Sequence, residues 1–332
     1  MLVSSNLFKK SSKSRKVRCE ICANYCKIAD GVYGVCKQHK NINGELFDES
    51  FGVVSSLSPD PIEKKPLYHF LPGTLSYSVG GFGCNMTCMH CQNYMISQEF
   101  DKISGKINIS PDMIVENAIN QGCDSISWTY NEPTIHLPFN KKTSLLAKRK
   151  NLKIVYVSNG YMSNQSLNEI LNFVDAFNID LKSMSQKFYK EICNADLNVI
   201  LENLERIYDA GKHLEITNLI INNYNDSTEE ITDLINFIID NLGEDVPLHF
   251  SRAFPYYKLN NIVPTEKDKL FEAKKIANEN GLEYVYIGNM SCDNNTYCPQ
   301  CGEVILKRDY SVEVLNKNSK CEKCGKKLNI KF

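Results

Sequence analysis

The chain has 332 residues, of which 42% are hydrophobic and 23% charged, and its formal net charge is -1. This composition excludes an intrinsically disordered chain, and the bulk charge indicates no polyanionic partner. The sequence has no apolar leader near the N-terminus and no run of about 18 apolar residues that could span a bilayer. We therefore expect a cytoplasmic protein without a membrane partner.

The 14 cysteines are unevenly distributed, and most of them fall into three groups. The groups are Cys19, Cys22, Cys26 and Cys36; Cys84, Cys88 and Cys91; and Cys298, Cys301, Cys321 and Cys324. In a reducing compartment, closely spaced thiols favour metal ligation over disulfides. We therefore expect three metal sites, whereas Cys123 and Cys193 are interpreted as small buried hydrophobic residues.

The first region, residues 1–58, is predicted to be a separate four-cysteine metal module. It begins with a basic lead-in over 9–18, which we interpret as solvated rather than as a nucleic-acid contact. Its four thiolates are enough to saturate a metal, but their spacing is compatible with either zinc or an auxiliary [4Fe-4S] cluster. The segment 60–73 then reads as an ordered, proline-containing connector.

Residues 59–290 show alternating strand and helix patterns. Candidate strands lie at 76–81, 125–130, 153–158, 176–180, 214–221 and 247–252, with a possible last strand at 284–288. Two helices have clear starts, one with Ser110 as N-cap and one with a capping box formed by Ser227 and Glu230. Alternation of this kind predicts an α/β fold with a parallel sheet. We expect a partial (β/α)6 barrel, with a doubly wound open sheet as the alternative.

The second cysteine group has the spacing C-x3-C-x2-C and directly follows the first of these strands. Three thiolates cannot close a four-iron cluster, so Cys84, Cys88 and Cys91 would leave one iron without a protein ligand. An open coordination position is typical of a catalytic metal site. The alternative is a structural zinc site that His90 or His69 completes.

Polar residues follow the later strands, at the end where barrel enzymes assemble their sites. They are Tyr130, Asn131 and Glu132; Ser158 and Asn159; Asp180 and Lys182; Asn222, Asn223 and Asn225; and His249 and Arg252. Each could instead cap a helix or close a loop. Their shared position after the strands predicts one common site.

Residues 291–332 contain two C-x2-C knuckles, Cys298 with Cys301 and Cys321 with Cys324. This arrangement is typical of a zinc ribbon, and nothing near it requires a redox metal. Cys292 precedes the first knuckle and is not needed as a ligand.

Taken together, these motifs resemble the radical S-adenosylmethionine (SAM) component of the AmmeMemoRadiSam system, a group similar to pyruvate formate-lyase activating enzymes. The blocks that support this resemblance include GCNMTCMHCQNYMISQ, TYNEPT, VSNGYM, NIDLKS and TYCPQCG. Three positions depart from the pattern. His90 stands where a larger aromatic residue is usual, Asn222-Asn223 replaces a proline-glycine pair, and Val157 occupies the position of an aspartate in the activases, which removes support for a monovalent cation site.

The resemblance implies roles for individual residues. Cys84, Cys88 and Cys91 would hold a [4Fe-4S] cluster whose open iron takes the amino and carboxylate groups of SAM. The remaining contacts with SAM would come from His90 on the adenine, Asn131 and Glu132 at the amino group, Ser158, Asn159 and Asp180 at the ribose or carboxylate, Lys182 at the carboxylate, and Arg252.

The implied activity is that of an oxidoreductase that cleaves SAM reductively to a 5′-deoxyadenosyl radical, which abstracts hydrogen from a substrate. The electron would come from a ferredoxin or flavodoxin, and a glycine of a partner protein is one candidate substrate. Modification of another peptide, an RNA or a small molecule is an alternative. A non-enzymatic iron-sulfur or zinc binding module is a further alternative of a different class.

Overall fold

The computed structural model describes residues 3–11 and 14–332. Two residues of the basic lead-in, 12 and 13, and the first two of the N-terminal module lie outside the described residues. Among the described helices, none combines the length and the apolar character needed to cross a membrane.

The centre of the fold is an eight-stranded sheet. Its strands are β1 (Ser56–Pro61), β2 (Leu75–Gly80), β3 (Ser125–Trp128), β4 (Lys153–Ser158), β5 (Ala176–Asp180), β6 (His213–Ile220), β7 (Leu248–Arg252) and β8 (Val285–Gly288). The edge strand β1 is antiparallel to β2, and every other neighbouring pair is parallel. Neighbours in the sheet follow chain order throughout. A doubly wound sheet reverses its strand order at a switch point, so this sheet has the topology of a partial barrel.

Helical crossovers connect the parallel strands. They are α1 (Pro111–Asn120), α2 (Leu137–Lys148), α3 (Asn164–Ile170), α4 (Leu197–Asp209), α5 (Thr228–Asn241) and α6 (Lys267–Glu279). Shorter helical segments cover Ile62–Lys64, Tyr94–Ser97, Phe100–Lys102, Pro133–His136, Gln186–Phe188 and the π-helical Tyr189–Cys193. The partial (β/α)6 barrel predicted from the sequence is therefore confirmed, with β8 added after the last crossover.

Helix starts follow the local sequence. The Ser110 hydroxyl accepts a hydrogen bond from the Met113 amide, and Pro111 occupies the first turn of α1. At α5, Ser227 caps in the same way, but Glu230 does not complete a capping box. Its carboxylate accepts from the Met184 amide at 2.5 Å instead. The expected local contact is therefore replaced by a tertiary one that fixes the loop after β5.

Two small antiparallel sheets build the described part of the N-terminal module. One contains Val3–Ser4, Glu45–Asp48 and His39–Ile42, and the other contains Phe8–Lys10, Val17–Cys19 and Lys27–Ile28. A further pair, Val53–Val54 with Ile107–Asn108, links the module to the main domain. The boundary predicted at residue 58 falls within β1, which pairs with β2, so the backbone pairing continues across it.

The C-terminal region forms a three-stranded antiparallel sheet of Thr296–Tyr297, Val304–Arg308 and Val312–Val314. The connector 60–73 lies between this region and the barrel. The Leu71 amide donates to the Lys331 carbonyl at 2.7 Å, and the Arg308 guanidinium donates to the Tyr68 carbonyl at 2.7 Å. The C-terminal tail is thus fixed to the barrel through the connector.

Candidate functional site

A cavity of about 310 Å³ opens at the carboxyl ends of the parallel strands. Its lining includes Cys84, Cys88, His90, Cys91, Asn131, Glu132, Ser158, Asn159, Asp180 and Lys182. These residues come from the cysteine loop and from the loops after β3, β4 and β5. The common site predicted for the strand-end polar residues is therefore correct for the residues after β3, β4 and β5, whereas Asn222, Asn223, Asn225, His249 and Arg252 do not line the cavity. His249 bonds to Glu215 at the opposite end of the strands instead.

The loop between β2 and Cys84 passes very close to neighbouring groups. A Cβ atom at Gly81 would lie 2.3 Å from Nε2 of His136, and one at Gly83 would lie 2.6 Å from the Cys36 carbonyl oxygen. Gly83 also has a φ of 83°, which favours glycine. The two glycines therefore allow the cysteine loop to pack against both the barrel and the N-terminal module.

Asn131 holds this loop in place. Its side chain accepts from the Gly81 amide at 2.9 Å and donates to the Gly83 carbonyl at 2.9 Å, and its Nδ2 lies 3.1 Å from Nε2 of His136. The sequence suggested a contact with SAM for Asn131. In the structure its side-chain amide is bonded to the loop that carries the cysteines, and the residue also lines the cavity.

Glu132 joins the loops after β3 and β4. Its carboxylate accepts from both the amide and the hydroxyl of Thr134, from the Ser158 hydroxyl, and from the Asn159 amide at 2.9 Å. Burial raises the pKa of Glu132, while the bonds from Thr134, Asn159 and Ser158 act in the opposite direction. Because these donors occupy both oxygens, Glu132 supports the Ser158–Asn159 turn.

Asn159 links that turn to the first cysteine. Its Nδ2 donates to the Asn85 side chain at 2.8 Å and lies 3.7 Å from the sulfur of Cys84. The Met86 amide also points toward that sulfur, at 3.5 Å. Hydrogen bonds to a ligand sulfur favour the thiolate form. The surroundings of Cys84 are therefore suited to a metal-bound thiolate.

Lys182 places a positive charge beside Cys88. Burial alone lowers the pKa of Lys182, but Asp180 and Cys88 outweigh it and hold this pKa well above its usual value. The Lys182 ammonium lies 2.7 Å from the Asp180 carboxylate. A hydrogen bond from Cys193 is the main cause of the lowered pKa of Cys88, and the charge of Lys182 contributes to it. Cys88 is thus prepared to act as a thiolate ligand.

Cys193 is a neighbour that the sequence did not reveal. The sulfur atoms of Cys88 and Cys193 and a ring nitrogen of His90 all lie within 4.8 Å of one another. The cysteine loop is fixed there by the Thr87 amide, which donates to the Cys193 carbonyl at 3.0 Å. Cys193 therefore contacts the site instead of only filling the core. The sequence provides little indication of this contact, because the position of Cys193 depends on the π-helical turn Tyr189–Cys193.

His90 is buried, and burial lowers its pKa to about 3, so the imidazole is neutral. Its ring lies against Phe188 with a centroid distance of 6.1 Å, and its Nδ1 has no hydrogen-bond partner in the described structure. The ring nevertheless lines the cavity.

Arg252, expected at the site, does not line the cavity. Its Nε donates to the Thr265 carbonyl at 2.7 Å, and its guanidinium lies 5.0 Å from the centre of the Phe254 ring. These contacts fix the chain after β7. The later strands contribute Thr217, Leu219 and Ser251 to the cavity, together with Asn289 beyond β8. The period-two alternation within β6 and β7 could have indicated these inward-facing positions.

The donor set fits a cluster of the [4Fe-4S] type. Burial is the main cause that raises the pKa of Cys84 and of Cys91, the latter to about 11, and each thiol is further affected by Cys88. A metal that captures the thiolates would relieve this cost. Three thiols face the cavity, which matches a cluster with one open iron.

The C-terminal cysteines form a compact group. The ligand atoms of Cys298, Cys301, Cys321 and Cys324 all lie within 4.8 Å of one another. The sulfur of Cys298 is 3.5 Å from that of Cys324, and the sulfur of Cys301 is 3.7 Å from that of Cys321. Ligands of a tetrahedral ion with bonds of about 2.3 Å stand about 3.8 Å apart. The four thiols therefore have the arrangement that a single metal ion requires.

Comparison with known proteins identifies the class. The model of the radical SAM superfamily matches residues 78–238. An uncharacterised protein of Methanocaldococcus jannaschii is 42% identical over 331 residues, which cover 98% of each chain. A 4-hydroxyphenylacetate decarboxylase activating enzyme of Clostridioides difficile is 26% identical over 188 residues, which cover 50% of this chain and 58% of the activating enzyme.

Solved structures show the same fold. A radical SAM methyltransferase from Sphaerobacter thermophilus superposes with a TM-score of 0.50 at 13% identity, over 71% of each chain. Fold, cysteine motif and family match together define an enzyme that uses a [4Fe-4S] cluster and SAM. The chain belongs to the radical SAM superfamily.

Proposed function

We propose that this enzyme generates a 5′-deoxyadenosyl radical from SAM and uses it to abstract hydrogen from a glycine of a partner protein. The cavity in which three cysteines meet the loops after β3, β4 and β5 is the observation that supports SAM cleavage. The similarity to a named activating enzyme supports the glycine substrate. That similarity spans 58% of the length of the activating enzyme. The proposed substrate therefore rests on a distant relative, whereas SAM cleavage rests on the site itself.

Cys84, Cys88 and Cys91 would hold a [4Fe-4S] cluster, which when bound would supply the electron that cleaves SAM. The protein's own residues would bind and orient SAM. Lys182 offers a cation for the SAM carboxylate, and Asp180 beside it offers an acceptor for ribose hydroxyls. Glu132 and Asn131 keep the loops around this space in place.

A ferredoxin or flavodoxin would provide the electron.

The neutral, buried His90 would present a flat ring to the adenine. The C-terminal module would hold zinc, because four thiolates at these separations match a tetrahedral ion. Cysteines grouped as metal ligands favour a reducing compartment, and we propose the cytoplasm.

Deuterium transfer tests the substrate. The reconstituted enzyme is incubated with SAM and dithionite in extracts of host cells grown on [2-²H]glycine, and 5′-deoxyadenosine is analysed by mass spectrometry. We expect deuterated product from the glycine-labelled extract and none from an extract labelled on phenylalanine. Protease treatment should abolish the transfer, and RNase treatment should leave it unchanged.

Other outcomes favour the other substrates. Transfer that survives protease and passes a size filter would indicate a small molecule, and transfer that RNase abolishes would indicate RNA. Either result contradicts the glycine substrate but leaves SAM cleavage intact.

A further inference from the structure

The four N-terminal cysteines lie together in one small module. Cys19, Cys22 and Cys36 are buried. The Cys19 amide donates to the Cys26 carbonyl at 2.9 Å, and a Cβ atom at Gly34, two residues before Cys36, would lie 3.6 Å from the sulfur of Cys26. Backbone amides of Gln38 and His39 point toward the sulfur of Cys36. Grouping of four thiols together with amide-to-sulfur contacts is typical of a metal site rather than of apolar packing.

The spacing of these sulfur atoms differs from that in the C-terminal module. There, sulfur atoms approach to 3.5 and 3.7 Å, as ligands of one ion must. In the described N-terminal segment, no three of the four sulfur atoms lie within 4.8 Å of one another. The four thiols are therefore spaced more widely than the ligands of a single ion.

The catalytic group provides the second reference. Cys84, Cys88 and Cys91 also influence one another electrostatically, yet within the described chain their three sulfur atoms do not form a group within 4.8 Å. In a cubane cluster each thiolate binds a different iron, so the ligands stand farther apart than those of one ion. In the spacing of its sulfur atoms, the N-terminal group thus resembles the catalytic group and differs from the C-terminal module.

The N-terminal site also contacts the catalytic loop. The Asn24 side chain, between Cys22 and Cys26, donates to the Asn85 carbonyl at 2.6 Å. The Ala23 amide donates to the Tyr161 carbonyl at 3.4 Å, and Cys22 forms an antiparallel bridge with Met162. Asn85 is adjacent to Cys84 in the chain, so the loops that carry the two cysteine groups are in direct contact. A redox-active cluster at this position could exchange electrons with the catalytic cluster, whereas zinc has no redox chemistry.

From the grouping, spacing and position of these thiols, we infer that Cys19, Cys22, Cys26 and Cys36 bind a second [4Fe-4S] cluster with four protein ligands. This assignment does not depend on the substrate proposed above. Because all four irons have a cysteine ligand, SAM has no coordination position at this cluster.

Metal analysis of the full chain tests the assignment. The protein is reconstituted anaerobically with iron and sulfide, and iron, sulfide and zinc are determined. We expect about eight iron ions per chain, four for each cluster, and about one zinc ion. A triple variant, C84A/C88A/C91A, should retain about four iron ions. After reduction, its electron paramagnetic resonance signal should not change when SAM is added.

The matched variant C19A/C22A should lose about four iron ions and keep a SAM-sensitive signal. If it fails to fold, wild type and the triple variant decide the question on their own. About four iron ions and two zinc ions in wild type, with no iron in the triple variant, would overturn the assignment. That outcome would leave the catalytic cluster in place, so it is distinct from a failure of the proposed function.

Discussion

Polar side chains around the cavity are bonded mainly to one another. Glu132 accepts from Thr134, Ser158 and Asn159, and Asn131 bonds to Gly81 and Gly83. Such buried networks position the groups that face a ligand, and each member matters because an unpaired buried polar group is costly.

Replacing Glu132 by glutamine tests this positioning role. The amide keeps the size of the side chain but exchanges one acceptor oxygen for an NH2 group, which cannot accept from Ser158 or from the Asn159 amide. We expect Glu132→Gln to lower the free energy of unfolding by about 1–3 kcal/mol, measured by denaturant titration. Glu169→Gln, which affects a partly exposed ion pair with Lys141, is the control. Equal losses in both variants would contradict the role.

The sequence predicted which residues line the cavity better than it predicted their hydrogen-bond partners. Asn131, Glu132 and Ser158 line the cavity, as their strand-end positions indicated. The sequence could not show that Glu132 accepts from a turn 27 residues away. It also assigned Arg252 to the site, although the alternation that turns Ser251 toward the cavity turns Arg252 away from it. Cys193 is buried as expected, but its contact with Cys88 and His90 depends on a π-helical turn that periodicity does not encode.

At the scale of elements, the cysteine loop is held by close backbone approaches. Gly83 combines a positive φ with a Cβ position only 2.6 Å from the Cys36 carbonyl oxygen. A side chain there must displace either the loop or the N-terminal module, because the neighbouring atom belongs to the backbone.

Alanine at Gly83 should therefore cost more than backbone strain alone. Gly122 is the matched control, because its φ of 67° is also positive but nothing lies within 4 Å of its Cβ position. We expect Gly122→Ala to cost about 1–2 kcal/mol in unfolding free energy. The loss in Gly83→Ala should be clearly larger and be accompanied by reduced iron incorporation. If both variants lose the same unfolding free energy, the proposed tight packing of this loop is contradicted.

The strands were the best predicted elements. Each predicted strand of the barrel overlaps an observed strand, because buried parallel strands appear as continuous apolar runs. β1 was not predicted, since Pro59 and Pro61 argue against a strand. The structure places it at the edge of the sheet, where proline is tolerated.

For the whole molecule, a buried network at the amino ends of the strands joins the connector, the barrel and the C-terminal tail. Glu215 accepts from the Tyr68 and His69 amides at 3.0 and 2.7 Å and lies close to the rings of His213 and His249. The Nδ1 of His69 in turn lies 2.9 Å from the Asn329 carbonyl oxygen. This network was not apparent from sequence, because its members are far apart in the chain.

Glu215 should make stability depend on pH. Burial raises its pKa, but the bonds from His213 and His249 outweigh burial and hold the pKa well below the usual 4.5. Ionised Glu215 therefore stabilises the fold above about pH 4.5, and this contribution is lost as the pH falls through the folded-state pKa. We expect Glu215→Gln to cost about 1–3 kcal/mol at neutral pH, because it leaves buried amide and imidazole groups without the acceptor they bond to.

Denaturant titration of the protein before cluster assembly measures this effect. The difference between wild type and Glu215→Gln should narrow as the pH falls below 4.5. The exposed Glu202→Gln variant should show little difference at any pH. A constant difference for Glu215→Gln down to strongly acidic pH would contradict the assignment of an ionised carboxylate.

The formation of 5′-deoxyadenosine tests the central claim most directly. The reconstituted enzyme is reduced with dithionite, supplied with SAM and analysed by mass spectrometry, next to Cys88→Ala and to Cys123→Ala, whose cysteine is buried outside the cavity. We predict that wild type and Cys123→Ala release 5′-deoxyadenosine and that Cys88→Ala does not. Wild-type protein with a full iron content that produces no more than Cys88→Ala would contradict the account.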